Sequence, residues 1–168
     1  VITTKDGATI RNGWTGDIIM RASGETTALT VATTEEKTGF GGLNELVFEL
    51  QVTAVDFTGG TTPSVILRVW IQRKTPSGAW DDLLSFATAA MSEFSDAPSA
   101  VRHVAEHRSA APALPTPAAV QDGAGNPPYA SRGGWHSDEL RTKSQLVSEG
   151  GSPTARAVTW SLVARGRV

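Results

Sequence analysis

The sequence predicts an all-β chain: an antiparallel β-sandwich, jelly-roll-like, of seven to eight strands. Two observations carry that prediction. Long stretches alternate apolar and polar residues with period two, the mark of a strand with one buried face. Glycine, proline and serine turn chemistry separates those stretches. In the first, Leu46, Phe48, Leu50, Val52 and Ala54 fall on one face, with Glu49, Gln51 and Thr53 on the other. In the second, Val65, Leu67, Val69 and Ile71 alternate with Ile66, Arg68, Trp70 and Gln72. Gly59, Gly60 and Pro63 part the two runs, and Pro76, Ser77 and Gly78 end the second.

Each element can be justified in chain order. Residues 1–16 are polar and turn-rich, with Gly7, Gly13, Trp14 and Gly16, and read as an N-terminal arm docked by Trp14. Residues 17–168 read as a single sandwich domain. Short strands are expected at 17–22 and 27–32 around a turn at Gly24, and 33–42 reads as a loop. The strong strands are 44–56, 63–74 and 80–87, the last opened by Trp80 with Asp81 and Asp82 at its start. Residues 90–135 form a long Pro/Ala/Gly-rich insertion, with Pro112, Pro115, Pro117, Pro127 and Pro128 in its second half. That composition favours extended, polyproline-like chain, and long loops in compact domains commonly serve a partner. An excursion over a neighbouring subunit is expected. The sheet resumes at 137–147 and 154–165, two last strands around a turn at 149–153, with Val158, Trp160 and Leu162 on one face.

Bulk properties narrow the function classes. The 168 residues carry a formal net charge of −2, which argues against nucleic acid as a partner, since phosphate binding needs clustered positive charge. No apolar run reaches the ~18 residues of a membrane span. The first ten residues lack the basic and apolar regions of a signal peptide, so none is expected. With no cysteine, disulfides, thiolate metal sites and cysteine nucleophiles are excluded, and a reducing compartment suits the chain.

One motif bears on catalysis. His103-Val104-Ala105-Glu106-His107 matches the H-x-x-E-H of inverted zinc proteases. That chemistry needs two imidazoles one helical turn apart with a carboxylate beside them. A short helix capped by Asp96, with Pro98 in its first turn, would supply it, and Glu139 or Glu149 could be a third ligand. The motif sits at the edge of a proline-rich insertion in a β chain, so solvated side chains are the expectation for His103, His107 and His136, adventitious metal binding by these three being the alternative, with no catalytic residue, no metal site and no cofactor. The five tryptophans are spread along the chain. Core or interface packing is expected of them, and a carbohydrate-binding module stacking sugars on Trp70 is the alternative.

The segment from Phe48 to Ala87 resembles a β-sandwich protein found in virions of tailed bacteriophages. The residues that carry the resemblance are Val52-Thr53-Ala54-Val55, Thr62-Pro63, Val69-Trp70-Ile71-Gln72, Ser77-Gly78, Trp80 and Ser85-Phe86. Leu140-Arg141-Thr142-Lys143 and the Gly-Ser-Pro turn that follows are similar too. About half the chain is covered, and the insertion is not. The resemblance implies a non-enzymatic virion structural protein, most of all a capsid decoration (cement) protein, with a head–tail connector or tail accessory protein as the alternative. Its partners would be the major capsid protein or other virion proteins and further copies of itself, with no nucleic acid and no membrane. It would act in the virion, assembled in the bacterial host cytoplasm. Trp14, Tyr129 and Trp135 are the expected interface anchors.

Overall fold

A computed structural model describes residues 2–3, 9–11, 13–27, 30–34, 36–58, 64–87, 101–108, 129–131, 135–150 and 155–168. Those residues form twelve strands and no helix. In chain order they are β1 (Ile2–Thr3), β2 (Thr9–Arg11), β3 (Trp14–Thr15), β4 (Ile18–Thr26), β5 (Ala32–Thr33) and β6 (Glu45–Thr58). Then come β7 (Ser64–Lys74), β8 (Trp80–Ala87), β9 (Val101–Arg108), β10 (Tyr129–Ser131), β11 (Leu140–Gly150) and β12 (Ala155–Arg167).

Two antiparallel sheets result. One runs β1-β2-β3-β12-β6-β9, with β4 also paired to β12; the other runs β10-β8-β7-β11-β5. The eight strands β4, β5, β6, β7, β8, β9, β11 and β12 alternate between sheets except at the β7–β8 hairpin. Their spatial orders are β4-β12-β6-β9 and β5-β11-β7-β8. Numbered one to eight, that is 1-8-3-6 facing 2-7-4-5, the order of a jelly roll built from two Greek keys. The β7–β8 turn closes on Thr75 N to Ala79 O at 2.7 Å. Gly78 takes a positive φ of 84° there, which a side chain would strain.

The alternating residues meet between the sheets. Leu46, Phe48, Leu50 and Val52 of β6, Leu67, Val69 and Ile71 of β7 and Val158, Trp160 and Leu162 of β12 are all buried. Phe86, Leu140 and Leu146 complete the facing layer. Ala54, expected with them, is exposed near the far end of β6. Asp81 and Asp82 serve the strand start: Asp81 pairs with Arg73 at 3.8 Å and Asp82 accepts from Gln72 Nε2 at 2.6 Å.

Three expectations need correction. The helix conceived for the H-x-x-E-H segment is strand β9, paired residue for residue with β6 from Glu45↔Arg108 to Val52↔Val101. It is one of the eight jelly-roll strands, although it lies inside the 90–135 segment read as an insertion. The expected strands at 17–22 and 27–32 are instead one strand through Gly24, followed by the short β5. Arg21 explains this. It folds back to donate to the carbonyls of Gly24 at 3.0 Å and Trp160 at 2.5 Å, beside the irregularity in the β4–β12 ladder. Finally, the expectation of solvated histidines fails for His107 and His136, both of which are buried.

Candidate functional site

Strand register brings several singled-out residues to one end of the sandwich. Trp14 of β3 lies opposite Arg167 of β12, Arg167 opposite Glu45 of β6, and Glu45 opposite Arg108 of β9. The side chains follow suit: Arg167 stands 5.9 Å from the Trp14 ring centre, and Arg108 reaches Glu45 at 3.2 Å and Glu106 at 3.3 Å. One residue inward, His107 lies opposite Leu46 and turns between the sheets.

The other sheet completes this end. The His107 and His136 rings meet edge to face, 5.5 Å between centres. His136 Nε2 donates to the Phe40 carbonyl at 2.9 Å. Burial holds the His136 pKa below the usual imidazole value, and the Arg73 charge adds to this against the backbone hydrogen bond with Phe40. The neutral ring is therefore the form that this packing favours.

Above His136 lies Trp135, 47% exposed. The Arg73 guanidinium lies 4.8 Å from its ring centre and also donates to its carbonyl oxygen. Trp135 walls an open cleft of about 490 Å³ together with Lys74, Pro76, Asp138 and Glu139. Lys74 donates to Glu139 at 2.7 Å, and this bond holds the lysine pKa above its ordinary value. The Asp138 carboxylate accepts from the amides of Gly39 at 3.2 Å and Gly41 at 3.0 Å, which fixes the loop beside the cleft.

The structure thus brings Trp14 and Trp135 to the same end. Tyr129, on β10, lies opposite Phe86 along the outer strand of the second sheet, and its side chain lies outside the described residues. Trp70 is half-buried on the outer face, opposite Lys143 and Ser85. Trp80 is also on that face, with Arg141 at 4.2 Å from its ring centre.

The zinc reading loses its geometry. Residues four apart on an extended strand are separated by about 13 Å, against about 6 Å on a helix, so His103 and His107 are not a chelating pair. Glu106, on the opposite face from His107, pairs with Arg108 instead. No group of three or more histidine and acidic side chains suited to a metal occurs among the described residues. The pairing of His107 with His136, 29 positions apart, was not anticipated. The one available signal was the spacing of Val101, His103, Ala105 and His107, which has a strand's period.

No family model and no curated protein matches the chain. Among solved structures, one titled "Structure of infectious bursal disease virus Gx strain" is similar at 11% identity with a TM-score of 0.40. The likeness covers 99% of this chain and 36% of that one. At that score it carries no argument about what this chain does.

Proposed function

We propose that this chain is a non-enzymatic structural component of a virus particle, and more finely a decoration protein on the capsid of a tailed bacteriophage. One observation carries the reading: a jelly-roll strand order whose interior is filled by packed apolar side chains. This architecture recurs in viral capsid domains, lectins and cupins. Chemistry inside the barrel needs an open polar cavity, and here Phe48, Phe86, Trp160 and Leu67 occupy that space. Function then falls to the outer surface and the ends, as it does for a protein that works by docking. The sequence resemblance to tailed-phage virion sandwiches supports the same choice.

In this reading the chain cements neighbouring capsomers, with Trp14, Tyr129 and Trp135 as contact anchors and the stretches of 90–135 outside β9 and β10 reaching to other subunits, while residues 1–16 add β1, β2 and β3 to the first sheet. Extended segments let a small domain cover a wide surface, and the contacts they form offset the entropy of ordering them. A second reading, a saccharide-binding module, draws on the exposed Trp135 ring beside Asp138 and Lys74 rather than on Trp70. Quantitative mass spectrometry of density-purified particles tests both. On the order of hundreds of copies per particle is the decoration result, and about a dozen or fewer, matching a symmetric ring, moves the chain to the connector or tail. Absence from particles overturns the virion reading in favour of the saccharide one.

A further inference from the structure

Strand β9 closes the first sheet, and among the described residues it pairs with β6 alone. Edge strands expose a row of backbone donors and acceptors, and proteins usually blunt them with bulges, prolines, charged side chains or short length, so the charges on this edge must find opposite partners if it is to pair. This one is eight residues long, contains no proline and pairs with β6 without a register shift. Its outer face is marked by Val104, 43% exposed, and by Glu106, whose side chain is 51% exposed. An apolar residue in the middle of a regular edge, flanked by charge, is a template for pairing.

The geometry points to a second copy of this chain as the occupant: two β9 strands pair antiparallel across a two-fold axis at Val104. The argument is the complementarity of the strand with itself. Side chains directly opposite in an antiparallel pair share a face, so a two-fold register must sum to an even number. The register that sets Val104 opposite Val104 sets Arg102 opposite Glu106, and by symmetry does so twice. A slip of one pair in one direction sets Arg102 opposite Arg108 and Val104 opposite Glu106. A slip in the other direction sets Arg102 opposite Val104 and removes Glu106 from any cation. Opposite charges facing each other stabilise a pair and like charges destabilise it, so one register is selected. A partner of unrelated sequence would have no reason to match this pattern, whereas a second copy matches it by symmetry. Joined this way, the first sheets of two subunits become continuous.

The chain contains no cysteine, which makes the test direct. Val104→Cys places the only thiol on the proposed axis, where Cα atoms across an antiparallel pair stand about 4.5–5.5 Å apart, within disulfide reach. Oxidised glutathione takes up the two electrons and two protons as the two thiols join. At micromolar protein the expected result is rapid conversion to a disulfide-linked dimer. Val31→Cys, at another exposed valine (48%) away from this edge, stays mainly monomeric under the same conditions. In the unmodified sequence, sedimentation should show a dimer whose dissociation constant rises at least about tenfold with Glu106→Arg. Adding Arg102→Glu to that variant should restore it, because the exchanged charges again face each other. Equal cross-linking of the two cysteine variants, or indifference to Glu106→Arg, overturns the proposal. Because purified protein alone is used, the outcome is independent of whether particles contain this chain.

Discussion

Replacing Trp160 by phenylalanine should cost far more than its conservative appearance suggests. The indole is fully buried, and its Nε1 donates to Thr26 Oγ1 at 2.9 Å. The Arg21 guanidinium stacks 4.0 Å from its ring centre and donates to the same threonine oxygen at 3.2 Å. Burial pushes the Arg21 pKa down, so this cation depends on its neighbours to offset lost hydration. Phenylalanine removes one hydrogen bond, worth about 1 kcal/mol. It also weakens the cation–π contact by about 0.5–1 kcal/mol, and the unfilled volume costs about 1 kcal/mol more. The total is about 3 kcal/mol. With a urea m-value of about 2 kcal/mol per molar, the midpoint should fall by about 1.5 M, read by circular dichroism. Trp70→Phe is the control, because Trp70 lies half-buried on the outer face and its replacement should cost under about 1 kcal/mol. The reasoning is refuted if Trp160→Phe shifts stability by less than about 1 kcal/mol, or if both variants fall equally.

Two further outcomes follow from the end of the sandwich that holds the histidines. A methyl group at Gly166 would lie 2.2 Å from Leu43 Cδ1 and 3.0 Å from its Cγ, and Leu43 is itself buried. Gly166→Ala should therefore destabilise by about 1–3 kcal/mol through overpacking, measured by urea unfolding, while Gly42→Ala, with open space around it, should not. The lowered pKa of His136 means the unfolded chain takes up a proton before the folded one does. Its contribution is complete above the ordinary value of about 6.5 and is lost as pH falls from there through the folded pKa. The midpoint should thus drop between pH 7.5 and 5.5, and His136→Gln, which keeps a donor for the Phe40 carbonyl, should flatten that drop.

Period two made β6, β7 and β12 legible, because a half-buried strand must alternate, and Phe48, Leu67 and Trp160 duly face one interior. Strand β9 was hidden by its own chemistry. His107 occupies an inward position, and a titratable side chain there disguises the alternation that Val101 and Ala105 begin. Gly24 misled in the opposite sense. Glycine is turn chemistry in a sequence, but here it lies in a strand beside the Arg21 guanidinium, which a Cβ would meet at an ordinary 3.5 Å. The site was legible only in part: Trp135 was singled out, yet its cleft and its Arg73 partner were not.

By itself, then, the sequence determined the all-β class, the core faces of the long strands and the absence of cysteine chemistry. These are local properties, set by side-chain alternation and composition within a few residues. The tertiary structure alone decided which strands are neighbours, and with that the jelly-roll order, the place of β9 and its Val104 at a sheet edge among the described residues, and the meeting of His107 with His136. The physical reason is that β-sheet hydrogen bonds join residues far apart in the chain. Their partners are chosen by the packing of two whole sheets, which no local window of sequence contains.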